Sequence, residues 1–369
     1  MVASGSGAAS LGHLDDVIPT VTAPVATLPT VTVPRATAPS VPVPSVVATL
    51  PSLPQYCKNN GQPDRYGLWL ADVDRRSMCL LMDDKVLGSV TFSPDDHRVA
   101  FTAQDGSTGD GRIPSHLYVV DSDGSGLRLL DPTSNVPRQP SWSPDGRWLA
   151  YTRWPVDSNG DSALMLLEWA TGAMREIGRI DQGSSKLEWS PDSQRIAATE
   201  FNRRDVLTVT IPEGISTRVA VPGDSMPYMC SWSPDGRQLV VSGERGPVVI
   251  TDGTGANPRT LVADGRFARW SPSGSVLSVW RDFNAFVVDP DGGGLRQVQP
   301  NASPIDWSGD GRLLATQGGT TAIDAVNVAD GSLTPVARGT NTFEVGPAGW
   351  SWSGHTLAVV VERSAAYRY

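Results

Sequence analysis

Lysine, histidine and cysteine are scarce in this chain of 369 residues. It contains three lysines, four histidines and three cysteines, so most of its 30 basic residues are arginines. Metal centres and nucleophile–base pairs draw mainly on His and Cys, so such chemistry has little material here. The net charge is −9 and the pI is about 5.0. This charge argues against a nucleic-acid partner, because positive side chains drive binding to phosphates.

Long apolar runs are absent as well. No stretch approaches the roughly 18 consecutive apolar residues of a transmembrane helix, so no membrane span is predicted. Residues 1–18 lack the apolar core of a signal peptide, and neither a signal nor an anchor is visible. Apolar side chains make up 39% of the chain, which suits one large soluble domain or two ordinary ones.

The N-terminal region differs sharply in composition from the rest. Residues 1–18 are small and polar, and we predict a flexible leader there. Residues 19–55 are rich in Pro, Val, Thr and Ala, with a proline at every fifth position from Pro19 to Pro44. Each proline restricts its own φ and disfavours helix before it. The segment is therefore predicted to be an extended stalk, with a disordered linker as the alternative, and such stalks are typical of extracytoplasmic proteins.

A repeated motif dominates the remainder of the sequence. Its fullest copies are Trp142-Ser-Pro-Asp-Gly-Arg147 and Trp232-Ser-Pro-Asp-Gly-Arg237, and the copies recur at intervals of roughly 40 to 50 residues. Pro presets φ, Asp accepts from nearby backbone amides and Gly supplies a positive φ, so the motif predicts a tight turn between two strands. Variants of the motif begin at Phe92, Trp189, Trp270, Trp307 and Trp350.

A second hairpin follows each motif, closed by a turn rich in Asp and Gly. The clearest examples are residues 117–130 and 285–298. Two hairpins in each repeat predict a four-stranded propeller blade with strands a, b, c and d. Weaker copies of the second hairpin occupy residues 163–177, 206–220, 247–262 and 322–337.

The ends of the repeat region determine the number of blades. The last motif, at Trp350, is followed by only one further strand, whereas an unpaired hairpin at 66–82 precedes the first motif. Residues 56–369 are therefore predicted to form a single all-β, seven-bladed β-propeller. In this fold the N-terminal strands pair with the last blade and close the ring. A six-bladed ring with a separate hairpin is the alternative, and we expect a monomer.

The Trp-Ser-Pro-Asp-Gly turns and the Asp-x-Asp-Gly hairpins that follow them resemble the TolB-type (WD40-like) β-propeller family over about residues 65–369. The resemblance implies the propeller fold but does not specify a function. The family includes periplasmic TolB-like binding subunits, gating domains of prolyl-oligopeptidase-type peptidases and a few lyases. The sequence shows neither the α/β domain that precedes the propeller in TolB nor the hydrolase domain of the peptidases.

Sequence signatures of catalysis are also missing. There is no Gly-x-Ser-x-Gly elbow and no Lys that follows a Gly, as a phosphate loop would need. The histidines His13, His97, His116 and His355 fall in the leader or in different blades, so they do not predict a shared site. The recurring turn aspartates could suggest calcium, but the EF-hand pattern is incomplete, and capping of backbone amides explains them. We predict no catalytic residues, no metal and no cofactor.

The three cysteines are placed by aligning the repeats. Cys230 occupies a position that is apolar in other a strands, which predicts a buried core thiol. Cys57 lies where the stalk meets the closing blade, and a Cys57–Cys79 disulfide would join the two in an oxidising compartment; two free thiols are the alternative. Cys79 is predicted to be exposed because it aligns with arginines of the outermost strands. These are Arg128, Arg175, Arg218, Arg259 and Arg296.

The loops that join strand b to c and strand d to a define one end of the propeller, here called the loop face. They are rich in Arg and aromatic residues, the types that dominate binding hot spots. We therefore predict a binding surface there, with ordinary loop decoration as the alternative. The candidate residues are Arg153, Trp154, Phe201, Arg203, Arg204, Tyr228, Arg245, Arg266, Phe267, Arg281 and Phe283.

Two functional hypotheses follow. In the first, a non-enzymatic, extracytoplasmic recognition module presents its loop face to a protein or glycan of the cell envelope, held off a surface by the stalk. In the second, a hydrolase or lyase has its site at the channel mouth and uses Glu188, Arg269 and Asp306. Since those three residues lie on different blades, ion pairs between blades are the simpler interpretation, and the first hypothesis is preferred.

Overall fold

A computed structural model describes twelve segments of the chain, all within the compact unit Leu50–Tyr369. The leader and stalk predicted for 1–18 and 19–55 lie outside the described residues, as do Phe201 and Arg245. The described residues are 57–58, 63–83, 86–104, 115–131, 136–154, 160–181, 186–200, 202–221, 226–244, 246–319, 321–340 and 343–363.

The described residues fold almost entirely as antiparallel β-strands. Within these segments there is no helix with the length and apolar character of a membrane span. In chain order the strands are β1 (Cys57–Lys58), β2 (Gly67–Asp72), β3 (Ser77–Asp83), β4 (Val86–Phe92), β5 (Arg98–Gln104), β6 (Ser115–Asp121), β7 (Arg128–Asp131), β8 (Val136–Trp142), β9 (Trp148–Trp154), β10 (Ser162–Glu168), β11 (Met174–Ile180), β12 (Glu188–Trp189), β13 (Arg195–Glu200), β14 (Asp205–Thr210), β15 (Ser216–Ala220), β16 (Pro227–Trp232), β17 (Gln238–Gly243), β18 (Val248–Asp252), β19 (Arg259–Val262), β20 (Arg266–Trp270), β21 (Leu277–Arg281), β22 (Asn284–Val288), β23 (Arg296–Gln299), β24 (Ser303–Trp307), β25 (Leu313–Gly318), β26 (Ala322–Asn327), β27 (Leu333–Arg338), β28 (Phe343–Trp350) and β29 (Thr356–Arg363).

These strands form seven sheets, which are the blades of a propeller. Blades 1 to 6 are four-stranded and take consecutive strands: β4–β7, β8–β11, β12–β15, β16–β19, β20–β23 and β24–β27. The innermost strands β4, β8, β12, β16, β20, β24 and β28 contact one another in that order, and β28 contacts β4. The ring is therefore closed with seven blades, and the six-bladed alternative is wrong.

Blade 7 combines strands from both ends of the described chain, in the order β1-β3-β2-β29-β28. Strand β2 pairs with β29, with Gly67 opposite Val361 and Asp72 opposite Thr356. This is the closure that the sequence predicts. The fifth strand, β1, adds to the outer edge of β3 and was not predicted.

The Ser-Pro-Asp-Gly turns have the hydrogen bonds expected from their sequence. In blade 2, Ser143 Oγ donates to Asp145 Oδ1 at 2.6 Å, and the same carboxylate oxygen accepts from the Arg147 backbone N–H at 3.0 Å. Gly146 lies in the left-handed region with φ 70°, where glycine carries no steric cost. Asp95, Asp192, Asp235 and Asp310 make the same contacts in four other blades. The prediction that these aspartates are structural is confirmed.

The hydrophobic core lies between the blades. One cluster joins Trp69 and Met78 of blade 7 to Ile323 and Ala325 of blade 6. Each a strand ends on a buried aromatic residue, and two of these tie neighbouring blades: the Trp189 Nε1–H donates to the Ser141 carbonyl at 3.0 Å. Similarly, the Trp350 indole donates to the Asp306 carbonyl at 3.1 Å.

Bulges in the innermost strands turn side chains toward the channel. The register shifts between Arg138 and Ser141 in β8 and between Arg266 and Arg269 in β20. Such bulges bend a strand and re-aim its side chains. The bulge residues Gln139 and Phe267 take positive φ values of 56° and 52°. The residue before the terminal aromatic therefore faces the channel.

Candidate functional site

The predicted binding residues of blade 2 are engaged by side chains of blades 1 and 2. The Arg153 guanidinium pairs with the fully buried carboxylate of Asp131 at 2.8 Å and donates to the Tyr151 hydroxyl at 3.2 Å. The Arg138 guanidinium lies 3.9 Å from the centre of the Trp154 ring, a cation–π contact. These contacts hold the end of β9 in place and leave Arg153 only 18% exposed.

A network of charges organises the neighbouring loop of blade 3. Arg203 pairs with Asp161 at 2.6 Å and with the buried Glu200 at 2.7 Å, and Glu200 also accepts from Arg218 at 2.6 Å. Burial and the adjacent Glu200 raise the pKa of Asp205 to about 6. Arg203 is therefore part of an ion network that stabilises the loop.

The last predicted arginine of blade 3 differs from Arg203. Arg204 is exposed and has a positive φ of 58°, and its backbone N–H donates to the Glu200 carbonyl at 2.8 Å. In blade 5, the predicted Arg281 pairs with its neighbour Asp282 at 3.4 Å and with no other acidic side chain of the described residues. Neither side chain joins the contacts that connect the other predicted residues.

Four aromatic side chains from blades 4 and 5 form a continuous stack on the loop face, which we call the aromatic ladder. Tyr228 meets Phe267 edge-on with ring centres 5.5 Å apart. Phe267 stacks on Trp280 at 5.3 Å with an angle of 19° between the rings, and Trp280 meets Phe283 edge-on at 6.1 Å. The Arg266 guanidinium lies 4.4 Å from the centre of the Trp280 ring.

The sequence places these rings through two irregular backbone positions. Phe267 occupies the bulge of β20, and Phe283 lies in the tight turn between β21 and β22 with φ 63°. A positive φ is unusual for a bulky side chain, and such strain clusters at binding sites. The outer rings are accessible: Phe283 is 70% exposed and Tyr228 is 37% exposed.

The structure thus brings together four of the predicted residues, namely Tyr228, Arg266, Phe267 and Phe283. Trp280, at the centre of the ladder, was missed because it lies within strand b and resembles an ordinary core tryptophan. The signal that could have found it is its place directly opposite Arg266 in the strand pairing. Its indole N–H is buried and has no hydrogen-bond partner among the described residues.

The opposite end, formed by the a–b and c–d turns, is here called the turn face. It contains a pocket of about 490 Å³ on the propeller axis. The pocket is lined by the channel-facing ends of the a strands and by the turns that follow them. Its polar lining comes from Thr91, Ser141, Lys186, Glu188, Ser231, Arg269 and Asp306, and its rim from Pro144, Pro191, Pro234, Pro272, Gly309 and Trp352.

An ion network crosses the pocket. Arg269 of blade 5 pairs with Asp306 of blade 6 at 2.6 Å and with Glu188 of blade 3. Burial tends to raise the pKa of Asp306, but the charges of Lys186 and Arg269 outweigh it and hold that pKa below its ordinary value. Burial likewise opposes the Arg269 charge, and the two carboxylates outweigh it. The interpretation of these residues as ion pairs between blades is confirmed.

The cysteines divide into two kinds. Cys230 is a free, buried thiol, as predicted, and burial raises its pKa. Cys79 is disulfide-bonded and is 1% exposed, so its predicted exposure is wrong. The reason is β1, which covers the outer edge of β3 and sets Cys57 directly opposite Cys79.

The histidines and acidic side chains of the described segments are not arranged as a metal site. No group of three or more His, Cys, Asp or Glu there could hold a metal ion. His355 instead bonds Asp74, with Nδ1 2.6 Å from the carboxylate. The hairpin aspartates Asp123 and Asp291 accept from the backbone N–H groups of Ser125 and Gly293, as capping predicts.

Comparison with solved structures identifies the fold. A putative TolB from Agrobacterium tumefaciens aligns with a TM-score of 0.51 at 18% identity, covering 81% of this chain and 98% of that one. The chain has the fold of a TolB-type β-propeller. An oligogalacturonate lyase from Vibrio parahaemolyticus aligns with a TM-score of 0.56 at 13% identity, covering 82% of this chain and 98% of the lyase. At these identities the likeness concerns the fold alone.

Sequence relatives match only in part. The uncharacterized peptidase YuxL of Bacillus subtilis is 26% identical over 210 residues, which are 54% of this chain and 29% of the relative. A Tol-Pal system protein TolB from Desulfosudis oleivorans is 35% identical over 82 residues, which are 22% of this chain and 17% of the relative. The chain thus spans less than a third of the length of these curated relatives, and no protein-family model matches it.

Proposed function

We propose that this propeller is a non-enzymatic recognition module that binds a protein of the cell envelope through the aromatic ladder. The observation that carries the proposal is the ladder itself, in which Phe283 stands 70% exposed at the end of a supported stack of rings. An apolar ring held rigidly in solvent is unfavourable in the free protein, and a partner that covers it removes this cost.

The composition of the ladder favours a protein over a glycan. Met226, two residues before Tyr228, is 38% exposed, and the arginine next to the rings, Arg266, lies over Trp280. Aromatic residues, Met and Arg are the types enriched at the centres of protein interfaces. The stacked rings lose little conformational entropy on binding because their neighbours already fix them.

The state of the channel residues supports a role without catalysis. A general acid or base works best with a pKa near the operating pH. Arg269 instead holds both Glu188 and Asp306 in ion pairs, and the pKa of Asp306 is lowered. Such carboxylates are suited to joining blades 3, 5 and 6, so we do not favour the hydrolase or lyase alternative.

An extracytoplasmic location is part of the proposal. The disulfide at Cys79 supports it, because structural disulfides persist in oxidising compartments. The proline-rich residues 19–55 would then act as the stalk that holds the propeller away from a surface, raising its local concentration there.

The test is crosslinking of the full chain to native cell-envelope extract, followed by identification of captured proteins. Wild type is compared with Phe283→Ala and with Tyr228→Ala. Ile215→Ala is the matched control, because Ile215 is 64% exposed but lies in a c–d hairpin. We expect one partner to be captured by wild type and the control and to be reduced at least about tenfold by each ladder variant.

Equal capture by all four proteins would place the interface elsewhere and overturn the assignment of the ladder. Capture of no protein, together with turnover of a peptide or glycan substrate by the wild type, would overturn the recognition role.

A further inference from the structure

The pocket on the turn face differs from a simple solvent channel because Arg269 crosses it. The guanidinium starts from blade 5 and reaches Glu188 of blade 3 and Asp306 of blade 6, so three blades are joined through one side chain. Arg269 is 8% exposed, and its Nε–H is buried without a hydrogen-bond partner among the described residues. The network therefore gives the pocket a polar floor.

Several polar side chains that line the pocket have donor or acceptor atoms available for hydrogen bonds to a ligand. Within the described part of the chain, the Lys186 ammonium and the hydroxyls of Thr91 and Ser141 make no hydrogen bond through their side chains. The carboxylates of Glu188 and Asp306 remain 18% and 21% exposed and can accept further bonds. Both donors and acceptors thus line a single cavity.

The charges around this cavity already balance. Two carboxylates, on Glu188 and Asp306, face two cations, on Lys186 and Arg269. A ligand with a net charge would leave one charge without compensation next to a nearly buried guanidinium, which is unfavourable. A neutral ligand with many hydroxyl groups avoids this cost and can bond both kinds of group.

One rim residue supplies a flat apolar surface. Trp352 occupies the position that is Pro144, Pro191 and Pro234 in other blades, and it is 43% exposed. Its indole is held in place, because Nε1–H donates to the Phe92 carbonyl at 3.3 Å. A fixed, half-exposed indole can stack against the C–H face of a sugar ring while its edge stays bonded to the protein.

We propose that the turn-face pocket binds a neutral mono- or disaccharide, whose hydroxyls bond the polar floor while one pyranose face stacks on Trp352. The volume of about 490 Å³ falls within the roughly 300–1,000 Å³ usual for small-ligand pockets. This site is independent of the aromatic ladder, which lies on the loop face.

The test is calorimetry and saturation-transfer NMR on the full chain. The probes are glucose, galactose, mannose, N-acetylglucosamine, maltose and chitobiose, with galacturonate and leucine as charged and zwitterionic comparisons. Three variants address the pocket: Trp352→Ala, Lys186→Gln and Thr91→Val. Lys186→Gln and Thr91→Val remove no hydrogen bond found among the described residues, so they test the site even if Trp352→Ala unfolds. Phe283→Ala, on the opposite face, is the control.

We expect saturable binding of at least one neutral saccharide, with its ring C–H protons in contact with the protein. The affinity should fall at least about tenfold in Trp352→Ala and severalfold in Lys186→Gln and Thr91→Val, and it should be unchanged in Phe283→Ala. Failure of every neutral saccharide to saturate at about 10 mM, preference for galacturonate or leucine, or equal affinity in all variants would overturn the proposal. Since Phe283→Ala removes only the ladder, a failure here is distinguishable from a failure of the proposed recognition function.

Discussion

The carboxylate of Asp96 in blade 1 accepts a hydrogen bond from the backbone N–H of Trp352 in blade 7 at 2.6 Å. Its second oxygen accepts from the Ser353 N–H at 2.8 Å. Asp96 stands where blade 2 has Gly146, and it keeps the positive φ of that turn position, at 57°. An aspartate is thus held in a backbone conformation that glycine adopts more easily, and its carboxylate joins the first blade to the last.

Substitutions of Asp96 therefore separate the strain of its positive φ from the stabilisation by the hydrogen bonds that join blades 1 and 7. We expect Asp96→Gly to lower the free energy of unfolding by about 1–2 kcal/mol, because two charge-assisted hydrogen bonds are lost although the strain is relieved. Asp96→Asn, which keeps one acceptor, should cost less. Urea denaturation measures both effects. An unchanged or raised stability in Asp96→Gly would show that the two hydrogen bonds stabilise the protein by no more than the backbone strain of Asp96 costs.

Removal of Arg269 should be strongly destabilising. Arg269→Met leaves Glu188 and Asp306 without their partner, and breaking a buried ion pair in this way costs about 3–5 kcal/mol. In the wild type the pKa of Asp306 is lowered, so its contribution to stability is present above its ordinary pKa and is lost as the pH falls. The deficit of the variant should therefore shrink as the pH is lowered from about 5 toward 2.

Denaturation curves at several pH values measure this deficit. A control that also carries Glu188→Gln and Asp306→Asn should recover much of the lost stability at pH 7, because no buried charge is left unpaired. A deficit of the same size at every pH would mean that Arg269 acts through packing rather than through its charge.

Asp205 should make the protein less stable as the pH rises. Its pKa in the folded protein is raised to about 6, above the ordinary value of 3.8, so the folded state holds its proton more tightly than the unfolded state does. This contribution is complete below about pH 4 and is lost as the pH rises through 6. We expect Asp205→Asn to be about 1 kcal/mol more stable than the wild type at pH 7.

Thermal melts from pH 4 to pH 8 check this expectation. The difference between Asp205→Asn and the wild type should grow between pH 4 and pH 7. Asp161→Asn, in blade 2 but bonded to Arg203 of blade 3, is the control, since it removes an attractive pair and should not be stabilising. A constant difference across the range would contradict the raised pKa of Asp205.

Alkylation followed by mass spectrometry counts the free thiols and so tests the disulfide. We propose that the disulfide partner of Cys79 is Cys57, which lies opposite it in the pairing of β1 with β3. We therefore expect one alkylated thiol, on Cys230, when the unreduced protein is unfolded, and three after reduction. Cys79→Ser should lower the free energy of unfolding by about 3 kcal/mol through the loss of the cross-link. Alkylation of all three thiols without reduction would contradict the bond, and Cys230→Ala serves as the control for thiol counting.

The architecture could be predicted from the sequence because each blade contains its own copy of the turn motif. The Ser143–Asp145 bond and the positive φ of Gly146 are local properties of a four-residue turn, so every copy of the motif predicts the same hairpin. The closing strands were predictable too. The last motif is followed by only one strand, and the unpaired hairpin before the first motif supplies the two strands that its blade lacks.

Contacts between repeats could not be predicted in the same way. Arg153 and Arg203 are arginines in loops, but their acidic partners Asp131 and Asp161 lie in other parts of the chain. The ladder depends on Trp280, which no loop pattern indicates, and on a bulge at Phe267. Cys79 appeared exposed by alignment because β1 has no counterpart in the other blades. These features depend on contacts with residues outside the repeated motif, so the motif alone does not predict them.

The pairing of β2 with β29 has a further consequence for how the molecule is made. Gly67 and Val361 are partners, although blades 1 to 6 lie between them in the sequence. Until β28 and β29 are made, β1, β2 and β3 can pair only with one another, and the edge of β2 that β29 covers in the folded protein has no partner. Long-range pairing of this kind is slow and leaves a chain open to aggregation. Pairing of β29 with β2 therefore closes the ring. Before β28 and β29 have been made, the nascent protein is most exposed to aggregation.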